Sequence, residues 1–155
     1  MEIEKFEKIE KGIQIQDLES FGGQEGLASF LREHLKPYED SLKDIHRGIE
    51  YALSDAADRG GFVLLAHEAG EKQGALVMLH TPMGGYIPAN ILLFVAVRRD
   101  LRGRGIGRRL VETGVKNCSG PVKLHVEYDN PAKGLYERLG FASKYAEMRH
   151  PGAGG

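Results

Sequence analysis

The chain has 155 residues, 41% of them hydrophobic and 28% charged, with a net charge of −1 at neutral pH; these are values of an ordinary globular domain. No apolar run approaches the roughly 20 residues that span a bilayer, the first dozen residues alternate acid and base where a secretory leader would be apolar, and a single cysteine, Cys118, excludes a disulfide framework and a zinc cluster. These features predict one domain over residues 1–150 with a loose tail at 151–155, in a reducing, cytoplasmic setting, with no metal.

In chain order, "GIQIQ" around Ile13 and Ile15 alternates like a short strand. "EGLASFLREHL" then puts Leu27, Phe30, Leu31 and Leu35 on one helical face before Pro37. Ser41 and Asp44 form a capping pair for a second helix through Ile45, Ile49 and Leu53. Two strands follow, "FVLLAH" and "GALVMLHT", joined by the loop "EAGEKQ", and the loop "PMGGYIPAN" leads into a third apolar run, "ILLFVAV", at 91–97. A helix is expected at 105–117, a strand "VKLHVEY" at 122–128, and a helix "AKGLYERL" with Asn130 as its cap, Pro131 in its first turn and Gly140 past its end. A last strand near "FASKYAEM" completes the order β-α-α-β-β-β-α-β-α-β, a mixed α/β sheet.

Charge is unevenly divided along this order. Residues 1–97 carry 16 acids and 9 bases, whereas residues 98–155 carry 6 acids and 12 bases. An anionic ligand belongs on the second half, and a cationic one fits the first. The basic excess peaks in "RRDLRGRGIGRR", where six arginines and three glycines fill residues 98–109 between a strand and a helix. A helix N-terminus there offers unpaired N–H groups and the positive end of the helix dipole. Gly103, Gly105 and Gly107 let a phosphate approach the backbone, and arginines add charge-assisted hydrogen bonds. The P-loop pattern is absent, and the dinucleotide fingerprint fails because Arg108 or Leu110 stands at its third glycine. A nucleic-acid surface would be broader and interleaved with aromatic residues.

The pattern that does fit is R-x-x-G-x-G at Arg102, Gly105 and Gly107, with "LYERLGF" at 135–141. With these two motifs in their strand–turn–helix contexts, the chain resembles the GNAT N-acetyltransferase superfamily. That resemblance implies a mostly antiparallel mixed sheet with flanking helices, and acetyl-CoA as co-substrate. Its pyrophosphate would lie on Arg102, Gly103, Arg104, Gly105, Ile106, Gly107 and Arg108, and its pantetheine arm would pair with the backbone of Val95, Ala96 and Val97. Tyr136 takes the place of the family's tyrosine that protonates the departing thiolate; without the motif it would read as a core aromatic beside Leu135 and Leu139. The family's pantetheine-contacting asparagine stands seven residues before that tyrosine. Here that position is Asp129, with Asn130 one residue late and also suited to cap the helix.

For a general base, His125 and Glu127 lie two apart on the expected strand and hence on one face, although an exposed charged face explains each singly. Cys118 has no adjacent base and reads as a small buried hydrophobe, which gives no covalent mechanism. The reading is direct acetyl transfer to a primary amine, cationic by the charge of the first half, on a small molecule or on a peptide or protein. A homodimer is left open, and neither nucleic acid nor membrane is expected as partner. The alternative is a non-catalytic CoA-binding regulatory module, which Tyr136 argues against.

Overall fold

The computed structural model describes residues 1–7 and 18–154. Five strands, β1 (Glu2–Glu7), β2 (Gly61–Glu68), β3 (Glu71–His80), β4 (Asn90–Val97) and β5 (Val122–Leu124), form one sheet in the order β1-β2-β3-β4-β5. Neighbours are antiparallel except the parallel pair β4–β5. The helices are α1 (Gly23–Leu35), α2 (Leu42–Ala52), α3 (Ile106–Lys116) and α4 (Ala132–Arg138).

The sheet is the middle of three layers, and its strand residues divide between two cores by parity. Val63, Leu65, Ala75 and Val77 pack against Leu27, Phe30, Leu31, Ile45 and Ile49 of α1 and α2. Phe62, Leu64, Leu76 and Met78 pack against Ile106, Leu110 and Val111 of α3 and Tyr136 of α4. Burial on both faces explains why β2 and β3 read as continuous apolar runs. The helices form where the 3.6-residue period places them. Leu27, Phe30 and Leu31 are buried on α1, and the Ser41 side chain caps α2 by accepting from the Asp44 N–H at 3.1 Å.

One residue changes the parity of β4. Val77 faces Phe94, but Met78 faces Leu92, so Leu93 is an extra residue in the ladder. Before this bulge Leu92 points to the α3 side and Ile91 to the α1–α2 side; beyond it Phe94 and Ala96 point to the α1–α2 side and Val95 and Val97 to the other. Helix α2 makes room for it with Gly48, where a Cβ would run into Leu93 and Phe94.

Several expectations need correction. The expected strand at Ile13 and Ile15 lies outside the described residues, and the strand seen near the N-terminus is instead β1. Its two apolar residues, Ile3 and Phe6, are three apart and therefore face opposite cores. The β2–β3 hairpin is tighter than "EAGEKQ" suggests, turning at Ala69 and Gly70 with φ of 49° and 80°, as a two-residue primed turn requires. The strand expected at 122–128 stops at Leu124, because its parallel ladder with β4 ends at Leu92, just before the bulge. The strand expected near 141–150 does not form; residues 142–150 are all exposed and find only a three-residue edge beside them.

Candidate active site

At its start β4 is locked to β5 by Asn90, which is 3% exposed. The Asn90 amide donates to the carbonyls of Ser119 (2.8 Å) and Pro121 (3.1 Å), and its Oδ1 meets His80 Nδ1 at 2.6 Å. From Leu93 onward β4 has no partner on that edge among the described residues. The Arg98 N–H donates to Gln73 O at 2.8 Å. By strand alternation the N–H and C=O groups of Phe94 and Ala96 also turn toward β3, so those of Val95 and Val97 face the open edge.

The open edge runs into the basic turn. Gly103 and Gly105 both have φ of +81°, the left-handed region that disfavours every side chain, and a Cβ on either would meet no atom within 4 Å. Gly107 is helical, and a Cβ there would make only ordinary contacts with Val97 and Leu135, so its position alone does not demand glycine. The N-terminus of α3 has Gly105 as cap residue, no capping side chain and no acid in its first turn. Helix α2, by contrast, has Ser41 as cap and Asp44 in its first turn. The first N–H groups of α3, on Ile106, Gly107 and Arg108, therefore have no intrahelical partner.

The arginines divide into three pairs. Arg98 is held by Asp100 at 2.7 Å, and Arg108 by Glu112 at 2.7 Å. Arg99 and Arg102 reach back to the end of α1 and donate to the carbonyls of Glu33 and His34. The arginine of the R-x-x-G-x-G pattern is thus a brace between the turn and α1. Arg104 and Arg109 make no ion pair among the described residues, and both line a shallow depression of about 200 Å³ beside the start of α3.

Tyr136 is 9% exposed in the α3-side core, edge-on to Phe141 with ring centres 5.9 Å apart. Burial, reinforced by the Glu127 carboxylate, pushes its phenol up to about 12, so the hydroxyl keeps its proton throughout the neutral range. Glu127 is exposed and accepts from Asn130 Nδ2 at 3.0 Å. The Asn130 Oδ1 accepts from the Ala132 N–H at 2.9 Å, which confirms its capping position at α4. Both ends of the Asn130 amide are therefore engaged. His125 is also exposed, and it lies beside Glu147. Of the two candidate bases, Glu127 is the one brought near Tyr136.

Two residues absent from the sequence reading join this group from the α1–α2 loop. Tyr38 Oη donates to the Asp129 carbonyl at 3.1 Å, and its phenol is raised by burial, Asp129 and Glu127. Asp40 is raised by burial and by the carboxylates of Asp44 and Glu127. No periodicity marks a loop side chain, and "PYED" carried no other signal. One group with three metal-capable side chains, Glu2, Glu4 and His67, lies on β1 and β2, toward the opposite edge of the sheet from β5.

Comparison with known proteins places the chain in a family. A mycothiol acetyltransferase of Corynebacterium aurimucosum is 33% identical over 114 residues, covering 65% of this chain and 36% of the relative. Another, from Corynebacterium jeikeium, is 38% identical over 63 residues, covering 37% of this chain and 18% of the relative. The chain thus spans about a third or less of the length of these relatives. An aminoglycoside N-acetyltransferase solved in complex with CoA shares the fold, with a TM-score of 0.64 at 14% identity over 97% of this chain and 95% of that one. The family model described as the acetyltransferase (GNAT) domain matches residues 59–143, from the start of β2 past the end of α4, and the chain belongs to that family.

Proposed function

We propose that the chain is an acetyl-CoA-dependent N-acetyltransferase that passes the acetyl group directly to a primary amine of a cationic acceptor. The observation that carries this reading is the open edge of β4. Two residues, Val95 and Val97, turn their backbone groups to that edge, and the strand leads into a helix N-terminus with neither cap nor acid. An extended amide-bearing arm ending in a pyrophosphate satisfies both at once. The residues that would hold acetyl-CoA are Val95 and Val97 for the arm, the expected Ala96 being excluded because its backbone groups turn toward β3, and the N–H groups of Gly103 to Arg108 with Arg104 for the phosphates. Bound there, acetyl-CoA supplies an activated acyl group as a thioester.

The chain's own groups do the rest. Tyr136 holds a proton on Oη in the core that the Val95 and Val97 side chains pack against and can donate it, or a hydrogen bond, to a leaving thiolate. Glu127, which accepts from Asn130, is the group proposed to take the proton of the acceptor's ammonium. Direct transfer is supported by Cys118, whose thiol burial pushes up to about 11; a protonated thiol is a poor nucleophile. A cationic acceptor is supported by Asp40, Asp44, Glu127 and Asp129, which stand together where the α1–α2 loop meets the segment after β5.

The test is an amine panel of polyamines, aminoglycosides, amino acids and basic peptides, following release of the CoA thiol. Cationic amines should be turned over best, and acidic amino acids least. Glu127→Gln should flatten the rise of rate with pH, while His125→Ala leaves it in place. Binding of acetyl-CoA with no turnover of any amine would make the chain a CoA-binding module.

A further inference from the structure

We propose that His34 is a proton-sensitive positioning residue for the turn at 98–109. Its neutral imidazole holds the turn in the form that receives phosphates, and protonation of the ring releases it. The inference rests on acetyl-CoA binding at that turn, as the proposed function has it.

Three hydrogen bonds join the turn to the end of α1. The Arg99 guanidinium donates to the Glu33 carbonyl at 2.7 Å, and the Arg102 guanidinium donates to the His34 carbonyl. The third comes from the Arg99 backbone N–H, which donates to His34 Nδ1 at 3.1 Å. That N–H opens the single 3₁₀ turn Arg99–Leu101, which leads from β4 toward Gly103, and the first donors of a helical turn have no partner within it. A backbone N–H can only donate, so Nδ1 is the acceptor and the neutral ring carries its proton on Nε2. The ring also packs on Phe30, with ring centres 4.6 Å apart.

One of the three bonds can be undone by a proton. A carbonyl oxygen does not titrate near neutrality, whereas an imidazolium has a donor on both nitrogens. Protonation at Nδ1 therefore turns a hydrogen bond into two facing donors. It also sets a cation beside Arg99 and Arg102, with Glu33 and Asp100 as the nearby anions. Glu33 is already shared between Lys36 at 3.0 Å and Arg99 at 3.5 Å. Burial first, and then Arg99, hold the imidazole below its ordinary value of 6.5, so the ring is neutral at neutral pH and takes its proton in mild acid. Charge alone would give the opposite result, because an added cation beside the turn attracts phosphates. Positioning and attraction thus differ in sign.

Calorimetry of acetyl-CoA at about pH 5 and about pH 8, the ends of the range in which a histidine titrates, separates them. A phosphate monoester on the ligand titrates near pH 6 as well, so the ratio of Kd in acid to Kd in base is compared between chains. His34→Asn is the reference, since its amide oxygen can take the place of Nδ1 and does not titrate. The wild-type ratio should exceed that of His34→Asn by about two- to tenfold, the net worth of one hydrogen bond. His34→Phe keeps a ring against Phe30 without an acceptor, and should bind more weakly than His34→Asn at both pH values. Equal ratios, or a smaller ratio in the wild type, overturn the proposal. In the free chain, NMR should place the neutral His34 proton on Nε2 and show the Arg99 amide shifting as His34 titrates; a proton on Nδ1 overturns the proposal as well. An Arg99 amide that follows His34 in a chain binding no acetyl-CoA keeps the switch and sinks the cofactor reading, whereas binding with equal ratios sinks the switch alone.

Discussion

The two halves of β4 have the same apolar composition and opposite fates. At the Asn90 end the strand is paired on both sides, and a buried amide ties it to the start of β5 through Ser119 and Pro121. At the Val97 end it is paired with β3 only, and a row of backbone donors and acceptors is left facing outward. Between them stands one extra residue, Leu93, accommodated by the bare Cα of Gly48. An unpaired edge beside a packed core is unfavourable unless something pairs with it. The difference therefore teaches that local geometry, in a run whose residue types are uniform, decides which half of the strand keeps an open edge, the edge proposed to receive the arm of acetyl-CoA.

The contrast can be broken most severely at the open end. Tyr136→Phe keeps the ring against Phe141 and removes the hydroxyl, so kcat should fall about 10²–10⁴-fold, the usual effect of losing a general acid, with acetyl-CoA affinity little changed. Normal turnover would make Tyr136 a packing residue. Its titration offers a second check. The folded phenol, at about 12, lies above the value of about 10 for an exposed tyrosine. The stability this represents is present below pH 10 and is lost as pH climbs through 12, a loss that Tyr136→Phe should not show in alkaline unfolding curves. Next, Gly105→Val should weaken acetyl-CoA binding at least about tenfold by calorimetry, because a side chain would stand where the phosphates approach. The left-handed φ adds a stability cost of about 1–2 kcal/mol, so a thermal melt must accompany the titration. Unchanged affinity would remove the pyrophosphate from this turn.

At the closed end, Asn90→Ala should destabilise the fold by about 1–3 kcal/mol by removing the three hydrogen bonds of a buried amide, without the large fall in kcat expected for Tyr136→Phe. Denaturant unfolding measures the first and turnover under folding conditions the second. The smallest effect is a control away from both ends. Ala69 occupies a left-handed position in the β2–β3 turn, and Ala69→Gly should stabilise by about 1 kcal/mol while leaving affinity and kcat alone.

The turn at 98–109 was legible because a strand, three glycines and a helix succeed one another there, each with its own signal. The helix caps at Ser41 and Asn130 were legible for the same reason, since capping chemistry is local. The bulge was not. "ILLFVAV" is apolar at every position, so no alternation exists for Leu93 to interrupt. Losing the bulge also hid the early end of β5, because nothing in "VKLHVEY" says that its partner turns away. β1 escaped both periodicities, with its two apolar residues serving two different cores. The arginine count suggested a phosphate cradle but could not say which guanidiniums are already committed; Arg99 and Arg102 are spoken for by carbonyls of α1, a contact between segments more than sixty residues apart.

That last brace has a consequence for redesign. Arg99 and Arg102 moor the end of α1, and Ser41 fixes the beginning of α2. The five residues between, Lys36 to Glu39 and Asp40, hang between two moorings that do not depend on their identity. They form a replaceable cassette: a library of loops with other lengths and charges, grafted between Leu35 and Ser41, would vary the side chains proposed to meet the acceptor while the glycine turn and the open strand stay in register.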